Sequence, residues 1–104
     1  MTGMPGRELQ VYLAPPLSGA VGQQIVTVSL PPEACIGDLL AELVRRFGGK
    51  VDRLLFTPEH HTLAEHWTFM LDDKCYFANR PHILDVSLAG CGTVSILLPL
   101  AGGH

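Results

Sequence analysis

The sequence has little charge and only a few basic residues, and this argues against one large class of function. Charged residues make up 16% of the chain, and the formal net charge is -3 at pH 7. Nucleic-acid-binding proteins need a clustered basic surface, so we expect no nucleic-acid partner. The only basic grouping is Arg45, Arg46, Lys50 and Arg53. It surrounds the end of a predicted helix, where cations interact favourably with the helix dipole.

Cysteines and long apolar runs are also scarce. The three cysteines, Cys35, Cys75 and Cys91, form no CxxC pair. With no signal peptide, this pattern predicts reduced thiols in a cytoplasmic protein. No apolar run approaches the length of a membrane span, so we expect no membrane partner.

The chain does have enough apolar residues for a core. Hydrophobic residues make up 47% of 104 residues, which suits one packed domain. We predict a flexible N-terminus over 1–7, a single domain over 8–98 and a flexible tail over 99–104.

Alternating apolar residues predict strands over 8–13, 24–30, 67–71, 75–77 and 93–98. The last of these is apolar enough to be central in a sheet. Proline and glycine make 14–19 a turn, and 51–56 is either a short helical turn or a strand.

The clearest predicted element is a helix that begins after Cys35. Cys35 and Asp38 have the spacing of a capping box, and Gly48-Gly49 ends the helix. Its apolar face comprises Leu39, Leu40, Leu43, Val44 and Phe47.

The order strand, strand, helix, strands, with parallel first and last strands, predicts an α+β fold of the β-grasp (ubiquitin-like) type. It has a mixed sheet of four to five strands and one main helix packed on one face.

Four segments resemble the ubiquitin-like sulfur carriers of the MoaD/ThiS family, and the resemblance extends over residues 8–103. The first is the opening strand ending at Ala14, followed by Leu17 and Gly19 or Gly22. The second is the helix start over 36–40 (IGDLL), followed by Leu43. The third is 69–73 (FMLDD), where the family has an apolar strand ending in Asn-Gly. The fourth is 90–103 (GCGTVSILLPLAGG), where the family typically reads Gly-Asp-x-Val, then an apolar strand, Pro-Pro-Val and a terminal Gly-Gly. Cys91 departs from the family's usual aspartate.

The resemblance implies a carrier protein that is not itself an enzyme. An adenylating enzyme of the MoeB/ThiF kind would use ATP to activate the carboxylate of Gly103. Sulfur would then replace AMP, and the thiocarboxylate would supply a sulfur-accepting synthase. Pro99, Leu100, Ala101 and Gly102 would form the tail that enters the partner's site. The acceptor pathway could be that of molybdopterin, thiamine, an amino acid or a tRNA base. No cofactor is expected to be bound.

His104 follows Gly103 and leaves it without a free carboxylate. Either a peptidase, for example a zinc JAMM-type enzyme, removes His104, or the residue is a cloning remnant, or the chain does not carry sulfur. Two functions are alternatives to sulfur transfer. One is a ubiquitin-like modifier conjugated through Gly103, and the other is a non-catalytic β-grasp interaction module whose tail is never activated.

Two further sets of residues are candidate sites. An apolar sheet face near the tail, comprising Phe69, Leu71, Ile96 and Leu98, is predicted to dock partners. His60, His61 and His66 are weak metal candidates, since their spacing is not HExxH and a solvated loop explains them better. We therefore expect no metal.

Overall fold

The computed structural model describes residues 7–15, 17–56, 63–64 and 66–97. The predicted tail, with Leu98, Pro99, Leu100, Ala101, Gly102, Gly103 and His104, lies outside the described residues, as do His60 and His61. In chain order the elements are β1 (Arg7–Leu13), α1 (Leu17–Val21), β2 (Ile25–Leu30), α2 (Ile36–Phe47), α3 (Gly49–Leu55), β3 (Thr68–Leu71), β4 (Lys74–Phe77), a 3-10 turn (Ile83–Asp85) and β5 (Thr93–Leu97).

The strands form one mixed sheet of five strands in the order β2-β1-β5-β3-β4. β1 pairs antiparallel with β2 and parallel with β5. β3 pairs antiparallel with both β5 and β4. The predicted parallel pairing of the first and last strands is confirmed, and β5 occupies the centre of the sheet as its apolar sequence predicts.

The main helix, α2, begins and ends where the sequence predicts. The Asp38 carboxylate accepts the backbone N–H of Cys35 at 3.0 Å and the Cys35 thiol at 3.3 Å. These bonds satisfy one of the backbone N–H groups that a helix start leaves without a partner. Gly48, with φ of 85°, ends the helix in a conformation that residues with a Cβ rarely adopt. Capping at both ends therefore fixes the length of α2.

The inner face of the sheet and the apolar face of α2 enclose the core. Leu39 and Leu40 are completely buried against side chains from the strands, including Val11 and Val28. Burying one such side chain stabilises the fold by about 1.5–3 kcal/mol. Trp67 is also buried, and its indole N–H donates to the backbone oxygen of Leu54 at 3.0 Å. That bond ties α3 to the segment that precedes β3.

One segment differs from its prediction, and the structure decides between two alternatives for another. The predicted turn over 14–19 is wrong from Leu17 onwards, where the short helix α1 (Leu17–Val21) begins. Leu17 is fully buried, and burial of this side chain outweighs the turn preference of its neighbours. The second segment is 51–56, predicted as either a short helical turn or a strand, and the helix α3 covers Gly49–Leu55. Phe56 then forms an isolated bridge with Leu63.

Candidate functional site

The candidate site lies where the central strand leads into the predicted tail. β5 lies between β1 and β3, and its last residue is Leu97. Leu97 is half-buried and is also the last residue of this region that the structure describes. The described part of the chain therefore ends on the middle strand of the sheet, at the end of the sheet that we call the tail end.

The start of β5 is anchored by the turn between β3 and β4. The Asp72 carboxylate accepts the backbone N–H groups of Gly92 at 3.2 Å and Thr93 at 3.1 Å. The backbone N–H of Asp72 in turn donates to the oxygen of Thr93 at 2.9 Å. Asp72 has a positive φ of 56°, a conformation that aspartate tolerates better than most residues. Asp72 and Asp73 thus form the turn between β3 and β4, and Asp72 also holds β5 in register.

The predicted docking face is wrong for three of its four residues. Phe69 and Ile96 are fully buried, and Leu71 is 6% exposed. Phe69 lies opposite Ile96 in the register of β3 and β5, so the two side chains share the inner face that α2 covers. The fourth residue, Leu98, lies outside the described residues. Alternation correctly placed Phe69 and Leu71 on one face, but that face belongs to the core.

Alternate residues of the same strands face outwards and form a different surface. Register places Ile25 beside Tyr12, Tyr12 beside Ser95, and Ser95 beside Met70. The next row towards the tail end contains Leu97, Thr68 and Phe77. Because side chains on one face of a sheet repeat every second residue, these rows form one continuous outer surface. We call its apolar members the tail-end patch: Tyr12, Ile25, Met70, Phe77 and Leu97.

The tail-end patch contains three of the four large apolar side chains that are most exposed among the described residues. Phe77 is 59% exposed, Ile25 45% and Tyr12 40%. Towards the other end of the sheet the outer face becomes polar, with Glu8, Gln10, Thr27, Ser29 and Thr93. Apolar exposure is therefore concentrated beside the last described residue of β5, at the tail end. Surfaces of this kind commonly mark sites of protein interaction.

Part of this patch could have been found from the sequence. In β1 the buried residues are Leu9, Val11 and Leu13, so alternation places Tyr12 on the opposite face. In β2, Ile25 directly precedes Val26, so these two side chains likewise lie on opposite faces of the sheet. Phe77 joins the patch only through the pairing of β4 with β3, which no local pattern shows.

The histidines and acidic residues that the structure describes give no support for a metal site. His66 is exposed, and its ring lies 5.0 Å from the ring of Trp67. Among the described residues, no group of three or more histidine, cysteine or acidic side chains is placed to hold a metal ion. No helix in this part of the chain is long and apolar enough to cross a membrane.

The cysteines and the basic grouping have structural contacts. The Cys91 thiol is buried and donates to the backbone oxygen of Thr93 at 3.1 Å. Cys75 is exposed on β4, next to Met70 in the register. Arg45 forms an ion pair with Glu42 on α2, and its guanidinium lowers the pKa of the Glu42 carboxyl. Arg46 donates instead to the backbone oxygen of Thr27 at 2.8 Å.

Comparison with solved structures identifies the architecture. The crystal structure of small archaeal modifier protein 1 from Haloferax volcanii superposes with a TM-score of 0.72, at 19% identity, over 93% of this chain and 100% of that chain. A second crystal structure of the same protein gives 0.73, at 19% identity, over 91% and 100%. The solution structure of its Methanosarcina acetivorans namesake gives 0.68, at 19% identity, over 97% and 100%.

The chain has the β-grasp fold. No family model matches the sequence, and no curated protein matches it. At this level of identity the likeness to the archaeal proteins establishes the fold, and the tail and the tail-end patch are the features that carry an interpretation of function.

Proposed function

We propose that this protein is a sulfur carrier whose C-terminal Gly103 becomes a thiocarboxylate. The observation that carries the proposal is the concentration of exposed apolar side chains where the central strand leads towards the Gly-Gly sequence. A partner enzyme that binds the tail-end patch would have the root of the tail beside its own active site. The carrier supplies a binding surface and a covalent tether, and the catalytic groups belong to its partners.

The chemistry requires activation because a carboxylate is a poor electrophile. A carboxylate oxygen of Gly103 attacks the α-phosphorus of ATP, and pyrophosphate leaves. The resulting acyl adenylate is a mixed anhydride, so a sulfide nucleophile can displace AMP and form the C–S bond. Gly102 and Gly103 have no Cβ, which suits a segment that must enter a narrow tunnel. The thiocarboxylate is then transferred to a sulfur-accepting synthase.

His104 must be removed before these reactions can start. Its amide bond to Gly103 occupies the carbonyl that the adenylating enzyme would activate. Hydrolysis of that bond by a peptidase, for which a JAMM-type zinc enzyme is our candidate, would release His104 and leave a free carboxylate. We therefore propose three partners in the cytoplasm: the peptidase, an adenylating enzyme of the MoeB/ThiF kind and the synthase.

A second candidate is a protein modifier, and the fold comparison favours it. Three solved structures with the same fold are of proteins named small archaeal modifier protein 1. In that function the activated Gly103 would form an isopeptide bond with a lysine of a target protein instead of receiving sulfur. Both functions need removal of His104, whereas a simple interaction module would not.

Reconstitution with purified components tests the proposal. A chain ending at Gly103 is incubated with ATP and a MoeB/ThiF-type enzyme, and pyrophosphate release is measured. We expect release that stops at one equivalent per chain when no sulfur source is present, and none from the chain that retains His104. Added sulfide should yield the thiocarboxylate by mass. Activation that instead transfers the chain to lysine side chains would support the modifier, and no activation of the trimmed chain would refute both.

A further inference from the structure

One stripe of α2 is only partly covered by the rest of the fold. Gly37, Ala41 and Val44 follow one another at helical spacing and therefore lie along one side of the helix. Ala41 is exposed, while Gly37 and Val44 are half-buried. Arg46, which donates to the backbone oxygen of Thr27 in β2, lies on the other side of α2. The stripe therefore faces away from β2.

The 3-10 turn packs closely against this stripe. A Cβ at Gly37 would lie 3.2 Å from the backbone oxygen of Leu84 and 3.3 Å from its Cβ, closer than ordinary van der Waals contact. Glycine thus lets the backbone of the turn approach the helix. Leu84 is 36% exposed, and of the four most exposed large apolar side chains in the described residues it alone lies outside the tail-end patch.

Two adjoining cavities lie between α2 and the 3-10 turn. The first has a volume of about 280 Å³ and is lined by Gly37, Ala41, Val44, Asp52, Phe56 and Leu84. The second has a volume of about 460 Å³, shares Phe56 and Leu84 with the first, and extends to Ile83 and Asp85. We call the two cavities together the helix-side groove. Each has room for a large apolar side chain.

The carboxylates in the described walls of the groove favour a basic ligand. Asp52 lines the first cavity and Asp85 the second. Asp52 is half-buried and has no ion-pair partner among the described residues. Asp85 lies 3.8 Å from His82, whose ring is a cation only when protonated. An apolar groove with acidic groups in both halves is complementary to a segment that combines apolar and basic side chains.

The nearby arginines do not neutralise these carboxylates. Arg53 follows Asp52 in α3, but its guanidinium lies against Gly49, one turn earlier in the same helix. Arg45, the residue after Val44, forms its ion pair with Glu42. The carboxylate of Asp52 therefore remains available to a cation from outside the chain.

The walls of the groove favour a helical ligand over an extended one. They come from α2, α3 and the 3-10 turn, and backbone groups inside helices are bonded within the same helix. An extended segment would therefore find few main-chain partners here. A helix satisfies its own backbone and binds a groove through its side chains. Apolar residues one turn apart on such a helix lie side by side, as two adjoining cavities require.

We propose that the helix-side groove binds an amphipathic helix of a partner protein. Two apolar side chains of that helix occupy the cavities, and a lysine or arginine beside them pairs with Asp52. The groove and the tail-end patch lie on opposite sides of the sheet, so the partner is distinct from the adenylating enzyme and leaves the patch uncovered. This inference goes beyond the sulfur-carrier proposal, since it needs neither Gly103 nor removal of His104.

The test uses the full chain and a synthetic alanine-based peptide of about 18 residues, because shorter helices are marginal in water. The peptide carries leucines one turn apart and lysines at adjacent positions. Amide resonances of the isotope-labelled protein are followed during titration. We expect saturable shifts at Gly37, Ala41 and Leu84, and none in the tail-end patch.

Two protein variants, each with a matched control, test the contacts. Ala41→Arg fills the first cavity and adds a positive charge at an exposed helical position, and it should weaken binding roughly tenfold or more. Gln10→Arg adds the same charge on the outer face of the sheet and should have no effect. Asp52→Asn should weaken binding about threefold, as expected for one ion pair. Asp73→Asn makes the same change in the turn between β3 and β4 and should have no effect.

Two peptide variants test the ligand without altering the protein. Glutamate in place of lysine should weaken binding because it faces Asp52 and Asp85. Proline at the centre of the peptide interrupts its helix and should abolish binding. Equal binding of the glutamate peptide would overturn the proposed charge complementarity, and unchanged binding of the proline peptide would show that the ligand is not a helix.

Further results would also overturn the proposal. These are an absence of binding at millimolar peptide, equal weakening by a variant and its control, and shifts that map to the tail-end patch. If dilution of the protein alone shifted the groove amides, a second copy of the chain would be the occupant. If truncation after Leu97 shifted them, the chain's own tail would be the occupant.

Discussion

Asp72 holds the start of the central strand through Thr93. The Asp72 carboxylate accepts the N–H of Thr93 at 3.1 Å, while the N–H of Asp72 donates to the oxygen of Thr93 at 2.9 Å. Asp72 and Thr93 are far apart in the sequence, and these two reciprocal hydrogen bonds join the end of β3 to the start of β5. Since β5 is the central strand, this pair links the turn between β3 and β4 to the middle of the sheet.

Removing the Asp72 side chain should weaken the fold measurably. We expect Asp72→Ala to lower the free energy of unfolding by about 1–2 kcal/mol, because two backbone N–H groups lose their acceptor and alanine disfavours positive φ. Asp72→Asn keeps one side-chain oxygen and should cost less. The measurement is urea unfolding followed by the fluorescence of Trp67, the single tryptophan. Asp73→Ala is the control, and an equal loss there would contradict the assigned role of Asp72.

The cap of α2 should make stability depend on pH in a defined direction. The N–H of Cys35 and then its thiol lower the pKa of Asp38 below its ordinary value. A folded pKa below the unfolded one means that the contribution is present above the unfolded value, about 4, and is lost as pH falls through the folded pKa. Asp38→Asn should therefore be less stable than the parent at neutral pH, and the difference should vanish in acid.

Thermal unfolding of parent and variant over a series of pH values measures this effect. Asp73→Asn provides the control, because it makes the same side-chain change at an exposed position in a turn. A constant difference between the parent and Asp38→Asn down to strongly acidic pH would refute the capping interpretation.

The short helix α1 should be held by one side chain. Leu17 is fully buried, and Leu17→Ala is expected to lower the free energy of unfolding by about 2–5 kcal/mol. The neighbouring Ser18→Ala change, on a partly exposed residue, should alter it by less than about 0.5 kcal/mol. Chemical unfolding of the two variants measures both changes. Similar small losses in the free energy of unfolding would mean that packing of Leu17 does not hold α1 in place.

A substitution in the tail-end patch should reduce partner binding without changing the stability of the fold. Phe77 is 59% exposed, so we expect Phe77→Asp to change the free energy of unfolding by less than about 0.5 kcal/mol. The same change should reduce activation of the trimmed chain by the adenylating enzyme at least tenfold, since a buried charge would oppose docking. Measured rates of pyrophosphate release test this expectation.

Leu84 supplies the matched control for that experiment. It is 36% exposed and lies in the 3-10 turn that packs on α2, on the helical side of the sheet. Leu84→Asp should leave activation unchanged. If Phe77→Asp and Leu84→Asp slowed activation equally, the tail-end patch would not be the docking surface.

The sequence predicted the strands and the main helix well because their signals are local. Val11 and Val28 belong to runs with a clear period of two, and Cys35 and Gly48 mark the ends of α2. α1 was missed because five residues are too few to show a helical period and because prolines precede them. Its helical state depends on the burial of Leu17, which is a tertiary effect.

The candidate site was predicted only in part, for a geometrical reason. Alternation shows that Phe69 and Leu71 share a face, but the choice between inner and outer face depends on where α2 packs. Tyr12 and Phe77 meet on one surface only because β5 and β3 lie between their strands. Strand order is set by long-range pairing, and no local pattern in the sequence contains it.

The intact mass of the chain purified from its own host tests the central claim most directly. When the peptidase and the adenylating enzyme are co-expressed, we expect a chain without His104 in which one oxygen of Gly103 has been exchanged for sulfur. A chain that keeps His104 and all its oxygen under those conditions would contradict the carrier function, and the protein would then be a binding module.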